Sequence, residues 1–205
     1  MATKFNTQLI TVMVDQGLSP SAQSKFLADY AREGMAELIA SGQASGQYKR
    51  FVDGQEGASE DIVRPNGVIA YQFGYLGEVV TFAVEFLRAR SPVKNGKYRD
   101  SFVVAVNGRP IPATMIVAES IPPDAELYIY NNQPYARKVD VQLIGTRKLT
   151  YSVPPGLFDD AARAVKGRFG NLVSAERVYT LNFPGKWITK KERSVEYPAL
   201  HIVVR

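Results

Sequence analysis

Residues 79–106 constrain the fold most, because three different structural signals follow one another there without a gap. Polar residues recur at helical spacing from Glu78 to Arg88, and apolar residues fill the rest of the circumference, which predicts a helix buried on more than one side. Pro92 ends this helix, since a residue that precedes proline avoids the helical region. The β-branched residues at 102–106 then predict a strand, and the Asn-Gly pair that follows predicts a tight hairpin turn.

The same patterns along the rest of the chain predict an α/β fold of the α+β kind, with a mostly antiparallel β-sheet packed against about three helices. The three helices are predicted at 20–40, 76–90 and 157–169, and a shorter one at 134–141. Strands are predicted at 48–52, 68–73, 102–106, 113–117, 126–130, 149–153, 177–182 and 200–204. Pro110 and Pro112 require a sheet edge or a bulge at their positions.

The length of 205 residues and the hydrophobic share of 45% are those of a single domain, residues 1–205, with its own core. It has an N-terminal arm at 1–18 and an extended loop or hairpin at 41–67. Residues 5–14 fit a helix or a strand, and could also dock on a neighbouring subunit. We predict a hairpin at 41–67 because a structureless loop of that length is unusual, and we expect its strand at 48–52 to end in a turn at Asp53-Gly54. This hairpin either reaches a neighbouring component or is a surface loop.

Several function classes find no support in the residues. The chain has no cysteine, which excludes a disulfide framework and thiolate sites. His201 is its single histidine, so a zinc site or a Ser-His-Asp triad lacks partners. No phosphate-binding loop is present either. We therefore expect no catalytic residue, no metal and no cofactor, and we expect that the protein is not an enzyme.

Residues 68–87 have the length of a membrane span but not its composition. They contain Glu78 and Glu85, and a charge at the centre of a helix in lipid costs about 2.5–3.5 kcal/mol. The sequence therefore predicts a soluble protein without membrane contact.

The net charge of +5 is distributed unevenly. Residues 1–90 hold 8 Lys/Arg and 10 Asp/Glu, whereas residues 91–205 hold 17 and 10. The basic half is either a face for an acidic partner or DNA, or ordinary solubilising charge. The basic residues from Lys186 to Arg193, with Trp187 among them, could contact DNA phosphates and stack on bases. A single aromatic residue favours the alternative, in which Trp187 packs against a partner or the protein core.

Two segments carry a family resemblance. Residues 91–101 read SPVKNGKYRDS between a predicted helix and a predicted strand, and residues 131–140 read NNQPYARKVD after the central strands. In order and spacing they resemble the signature of tailed-bacteriophage neck and tail-completion proteins, S-P-V-x-x-G-x-Y/L-R-x-S followed by N-x-x-P-Y-A…V-E. The resemblance covers residues 68–166, about half of the chain. Asp140 departs from it, because the family more often has Glu there, and so does the long segment before Val68.

The resemblance implies a structural virion protein of the phage neck, assembled in the host cytoplasm. As a tail terminator, stopper or connector, it would form a closed homo-oligomeric ring of six or twelve copies between a portal or adaptor protein and the tail tube. DNA would pass through the lumen without sequence-specific binding. The turn at 91–101, the loop at 41–67 and the arm would supply the contacts. The predicted interface residues are Ser91, Lys94, Lys97, Arg99, Asp100, Tyr135 and Trp187. The alternative is a basic DNA-binding accessory protein.

Overall fold

The computed structural model describes residues 7–10, 19–144, 146–180 and 197–205. The chain forms two compact units, residues 1–75 and residues 76–205. The α+β class with antiparallel sheets is confirmed, but the strands form two larger sheets, one in each unit, where the sequence predicted one. The organisation of residues 1–205 as a single domain stays a prediction.

The first unit consists of one long helix and a four-stranded sheet. Its elements are β1 (Thr7–Ile10), α1 (Pro20–Ala40), β2 (Tyr48–Val52), β3 (Gln55–Glu56) and β4 (Ile69–Phe73), and the strand order is β1-β4-β2-β3. The helix begins where the sequence predicts, because the Ser19 side chain accepts a hydrogen bond from Ala22 N at 3.3 Å and proline suits the first turn. Of the two predictions for residues 5–14, the strand holds at 7–10, and the rest of the arm lies outside the described residues.

Within the predicted loop at 41–67, the strand at 48–52 and the Asp-Gly turn after it are confirmed. Asp53 and Gly54 have φ angles of 48° and 83°, so the turn joins β2 to β3 through left-handed backbone. The Asp53 carboxylate accepts hydrogen bonds from Arg64 N at 2.9 Å and Val68 N at 2.8 Å. These bonds close the base of the segment that leaves the sheet between β2 and β4.

The second unit contains three helices and a five-stranded sheet. Its elements are α2 (Leu76–Ala89), β5 (Phe102–Val106), β6 (Arg109–Pro112), β7 (Leu127–Asn131), α3 (Ala136–Val141), β8 (Leu143–Ile144), β9 (Arg147–Lys148), α4 (Leu157–Phe169), β10 (Val173–Thr180) and β11 (Tyr197–Val204). The sheet order is β10-β11-β7-β5-β6, and β8 pairs with β9 alone. Every pair of strands is antiparallel, and the predicted hairpin turn at Asn107 joins β5 to β6.

The core of the second unit lies between its helices and one face of its sheet. Aromatic contacts connect the layers: the Phe102 ring of β5 meets the Phe158 ring of α4 at 6.4 Å, and Phe82 of α2 meets Phe169 of α4 at 5.6 Å. Full burial of a side chain of this size stabilises by about 1.5–3 kcal/mol. Close packing also explains Gly77, where a Cβ would lie 2.3 Å from the Ala118 carbonyl oxygen.

Two predicted strands are wrong. Residues 113–117 lie outside the sheet, and short 3-10 helices at Ala113–Met115 and Ala118–Ser120 follow β6 instead. β6 is an edge strand that ends at Pro112, so no neighbouring strand is available to pair with the residues that follow. Residues 149–153 form no strand either, because β9 ends at Lys148 and its partner β8 is only two residues long. The described part of the chain contains no helix long and apolar enough to cross a membrane.

Candidate functional site

The turn at 91–101 begins where α2 ends. The Ser91 residue is 3% exposed, and its hydroxyl donates a hydrogen bond to the Leu87 carbonyl at 2.7 Å. This bond satisfies a carbonyl in the last turn of α2. Arg88 Nη2 donates to Asp100 Oδ1 at 2.8 Å, which ties the last turn of the helix to the end of the loop. Between these anchors, Gly96 has a φ of 76°, a conformation that a residue with a side chain rarely adopts. The turn is therefore held at both ends.

The second segment of the resemblance lies directly against this turn. Asn131 Nδ2 donates to the Tyr98 carbonyl at 2.7 Å, and Gln133 Nε2 donates to Ser101 Oγ at 2.7 Å. The rings of Tyr98 and Tyr135 pack with their centroids 6.0 Å apart. Two sequence segments that lie about thirty positions apart thus form one hydrogen-bonded brace in space. We call residues 91–101 together with 131–135 the brace.

The brace contains a buried polar group without a hydrogen bond among the described residues, the Tyr98 hydroxyl. Tyr98 is 3% exposed, and its hydroxyl has no hydrogen-bond partner in the described part of the chain. Burial, together with the negative charge of Asp140, raises the pKa of the Tyr98 hydroxyl far above its usual value. The hydroxyl therefore stays neutral, and it supplies no acid or base chemistry near neutral pH.

Asp140, the residue that departs from the resemblance, is fully buried. Its Oδ1 accepts from Phe158 N at 3.2 Å, and its Oδ2 accepts from Arg177 Nη1 at 3.1 Å. Burial raises the pKa of the Asp140 carboxyl, and the hydrogen bonds from Phe158 and Arg177 offset this effect only in part. The carboxylate links α3 to the start of α4 and to β10, which is a structural role.

A groove of about 660 Å³ opens beside the brace. It is lined by residues from the end of α2, from the turn and from the segment after β6, with both charges present: Thr81, Val84, Glu85, Arg88, Ala89, Val93, Arg99, Ala113 and Ile116. Val93, which lines the groove, is 62% exposed, and two apolar residues next to Ile116 in the chain, Met115 and Val117, are 70% and 56% exposed. Large exposed apolar patches are typical of protein interaction sites.

The predicted interface residues have different places in the structure. Lys94, Lys97 and Asp100 are exposed on the turn, and the Arg99 side chain lines the groove at 43% exposure. Ser91 is buried and Tyr135 is half-buried against Tyr98, so both act inside the brace. Trp187 and the basic stretch around it lie outside the described residues.

Sequence reasoning missed the exposed apolar side chains of the segment after β6. Met115 and Val117 were assigned to a strand, in which they would have been partly covered, whereas the structure leaves them on the surface. The signal that could have found them is the pair of prolines just before, which places this segment beyond the edge of the sheet.

Sequence reasoning also missed a charged cluster in the first unit. Glu60 is 6% exposed and accepts hydrogen bonds from Tyr71 Oη at 2.9 Å and Arg50 Nη1 at 2.8 Å. Arg32 lies 3.8 Å from the same carboxylate and also pairs with Asp61. Both arginines are already paired with carboxylates, so this cluster holds the segment at 59–62 against the sheet.

The described residues contain no group of three or more His, Cys, Asp or Glu side chains that could hold a metal ion. His201 stacks on Tyr128 at 4.5 Å, and its Nε2 lies 2.8 Å from Glu126 Oε1. This imidazole is 18% exposed and packed against its neighbours. Comparison of the chain with protein-family models, curated proteins and solved structures found no match.

Proposed function

We propose that this protein is a structural component of a tailed-phage virion, a ring-forming protein of the neck that connects a portal or adaptor to the tail and lets DNA pass. One observation carries the proposal. The two segments that resemble the neck and tail-completion signature form one hydrogen-bonded brace, through Asn131 and Tyr98 and through Gln133 and Ser101. Direct contact between the two segments explains why they would occur together in one signature.

The surface beside the brace supports the same function. Val93 and the lysines of the turn project from a loop that is held at both ends, and a groove with exposed apolar side chains lies next to them. A rigid loop loses little conformational entropy when it binds, so more of the contact energy contributes to affinity. A closed ring requires two different patches on each copy, because its contacts are heterologous.

The test is to look for rings. We expect light scattering after size exclusion, and negative-stain microscopy of the purified chain with portal and tail-tube components, to show closed rings of one stoichiometry seated between these components. A chain that remains a monomer with all these components present contradicts the proposal. Retention of the protein in purified particles provides an independent readout.

The alternative function, DNA binding by an accessory protein, draws on the charge of the second unit. Residues 76–205 hold 19 Lys/Arg and 12 Asp/Glu. A filter-binding titration at two salt concentrations separates the two functions. Contact with phosphates weakens the apparent affinity by about 0.9 log unit per log unit of salt for each phosphate neutralised. Weak binding without salt dependence favours assembly, whereas a steep slope favours the accessory protein.

A further inference from the structure

The five-stranded sheet has two edge strands, β6 and β10, and they differ in the backbone groups that they offer. In an antiparallel sheet, every second residue of a strand bonds to the same neighbour. Asn132 N donates to the Ser101 carbonyl, so the odd-numbered residues of β5 bond to β7 and the even-numbered ones to β6. The register then turns the backbone of Pro110 and Pro112 outwards, and proline has no N–H. The β6 edge is therefore closed to a further strand.

The β10 edge is open. Arg205 N donates to the Leu172 carbonyl at 3.0 Å, so the register of β10 with β11 makes the even-numbered residues of β10 bond to β11. In the described part of the chain, no backbone hydrogen bond reaches the groups that point outwards. These groups are the N–H and C=O of four residues: Val173, Ala175, Arg177 and Tyr179.

The length of this open edge limits what can pair with it. Unpaired backbone along an edge strand is a template for a strand of another chain. Elsewhere in the described residues the free edges are short, because β1 has four residues and β3, β8 and β9 have two each. β10 has eight residues and no proline. Among the described strands, the only edge that matches β10 in length and in free backbone groups is therefore β10 of another copy.

The side chains of β10 are compatible with such pairing about a twofold axis at Arg177. The two Arg177 side chains then lie opposite each other, but each already pairs with Asp140 at 3.1 Å and with Asp159 at 3.2 Å. Glu176 of each copy lies opposite Val178 of the other. An axis at Glu176 would instead place two carboxylates opposite each other, which is unfavourable. The charges of the strand thus favour the axis at Arg177.

Tyr179 supplies an aromatic side chain at the same edge. It is 38% exposed, and its ring centroid lies 5.2 Å from the guanidinium carbon of Arg137 and 5.3 Å from that of Arg177. With the axis at Arg177, Tyr179 lies opposite Ala175 of the second copy, whose small side chain leaves room for the ring. A ring that is already held between two guanidinium groups loses little conformational entropy on binding.

From these observations we infer that β10 of one copy pairs with β10 of a second copy, in antiparallel direction and about a twofold axis at Arg177. The two five-stranded sheets then form one continuous sheet. The contact is isologous, so two copies saturate it. This inference goes beyond the proposed function, because a ring closes through heterologous contacts and pairing at β10 adds a contact of a different kind.

Amide exchange followed by NMR tests the contact in the unmodified protein. The amides of Ala175, Arg177 and Tyr179 donate to the second copy only in the dimer. We therefore expect them to exchange about tenfold or more slowly at a concentration that favours the dimer than in dilute solution. The amides of Ser174 and Val178 donate to β11 within one copy and should be protected equally at both concentrations.

Two variants at one position test the axis. V178E places a carboxylate opposite Glu176 of the second copy at two symmetric places, whereas V178K places an ammonium group there. Sedimentation velocity at low salt measures the dimerisation constant. We expect V178K to dimerise about tenfold or more tightly than V178E, because like charges directly opposite each other on neighbouring strands are unfavourable. The double variant E176K/V178E restores opposite charges and should recover dimerisation relative to V178E.

Matched controls separate the contact from net charge and from folding. Ile62 belongs to the first unit and is 58% exposed, so I62E and I62K make the same changes in charge away from β10 and should dimerise like the wild type. Circular dichroism of V178E and V178K in dilute solution checks that both monomers are folded.

The inference is overturned if the wild type stays monomeric, if V178E and V178K dimerise equally, or if E176K/V178E does not recover. It is also wrong if the three outward amides become protected only when portal or tail-tube components are added, because the edge then binds a strand of another protein. Rings and particles are scored separately, so the pairing at β10 can fail while the proposed neck function stands.

Discussion

Two buried carboxylates, one in each unit, differ in the direction of their pKa shift. Burial opposes ionisation of Glu60, but hydrogen bonds from its own backbone N–H, from Tyr71 and from Arg50 outweigh burial and lower its pKa. Burial is also the largest influence on Asp140, and there the bonds from Phe158 N and Arg177 do not overcome it, so its pKa is raised. Both carboxylates are paired with arginine, yet the environment favours ionisation of only one.

The difference shows that an ion pair does not by itself determine how a buried acid contributes to stability. Glu60 keeps slight exposure and receives two side-chain hydrogen bonds, whereas Asp140 has no exposure and has the carboxylate of Asp159 nearby. The balance between desolvation and compensating donors therefore decides whether the charged form stabilises the fold.

Removal of each carboxylate should give the largest effect. We expect Glu60→Ala to lower the free energy of unfolding by about 2–4 kcal/mol, because it leaves the buried Tyr71 hydroxyl without its acceptor and leaves Arg50 with only the Gly57 carbonyl, at 3.2 Å. Asp140→Ala should cost about 1–3 kcal/mol, since Arg177 keeps Asp159 at 3.2 Å. Urea unfolding followed by circular dichroism measures both. Glu56→Ala, at an exposed site, serves as control and should stay within about 0.5 kcal/mol of the wild type. Equal losses for Glu60→Ala and this control would contradict the structural role of Glu60.

Replacement by the amide should give a smaller effect and sharpen the contrast. Glu60→Gln removes a charge that its surroundings favour, so we expect a loss of about 1–3 kcal/mol. Asp140→Asn removes a charge that burial disfavours and keeps an oxygen that can accept from Phe158 N, so the loss should be below about 1 kcal/mol. The same unfolding assay provides the comparison. A larger loss for Asp140→Asn than for Glu60→Gln would reverse our assignment of the two environments.

The pH dependence should be the smallest effect and should have opposite sign for the two acids. Because the pKa of Glu60 is lowered by folding, its contribution is present above the usual carboxyl pKa and is lost as pH falls through the folded value. The pKa of Asp140 is raised, so the folded state holds its proton more tightly, and its contribution falls as pH rises from the usual value to the folded one.

The measurement is the unfolding free energy of the wild type and of the two amide variants between about pH 3 and pH 7. The advantage of the wild type over Glu60→Gln should grow with pH, whereas its difference from Asp140→Asn should move in the opposite direction. If the two differences from the wild type change with pH in the same direction, both acids respond alike. That result would contradict the opposite pKa shifts of Glu60 and Asp140.

The elements with strong local signals could be predicted from the sequence. Ser19 before Pro20 marked the start of α1, and the Asn-Gly and Asp-Gly pairs marked the hairpin turns. The wrong strand at 113–117 came from apolar residues whose local pattern cannot reveal that the neighbouring strand is the last in its sheet. The division of the strands into two sheets was missed for the same reason, because pairing partners depend on the whole fold.

The candidate site was predicted only in part. Lys94 and Lys97 are exposed on the turn, whereas Ser91 is buried and Tyr135 is half-buried against Tyr98. The interface role of these residues stays a prediction. The hydrogen bonds between the two signature segments could not be derived from local sequence, since they join residues about thirty positions apart. The sequence also did not reveal the cluster around Glu60, because an acidic side chain in a Gly-rich stretch is expected on the surface.

The prolines of β6 have a consequence for the behaviour of the protein at high concentration. Pro110 and Pro112 lie on an edge strand of the five-stranded sheet, and neither has a backbone N–H to offer to an incoming strand. A foreign strand cannot continue the hydrogen-bonding ladder at this edge, so amyloid-like stacking from it is suppressed. Crowded copies would then associate at this edge through their side chains alone.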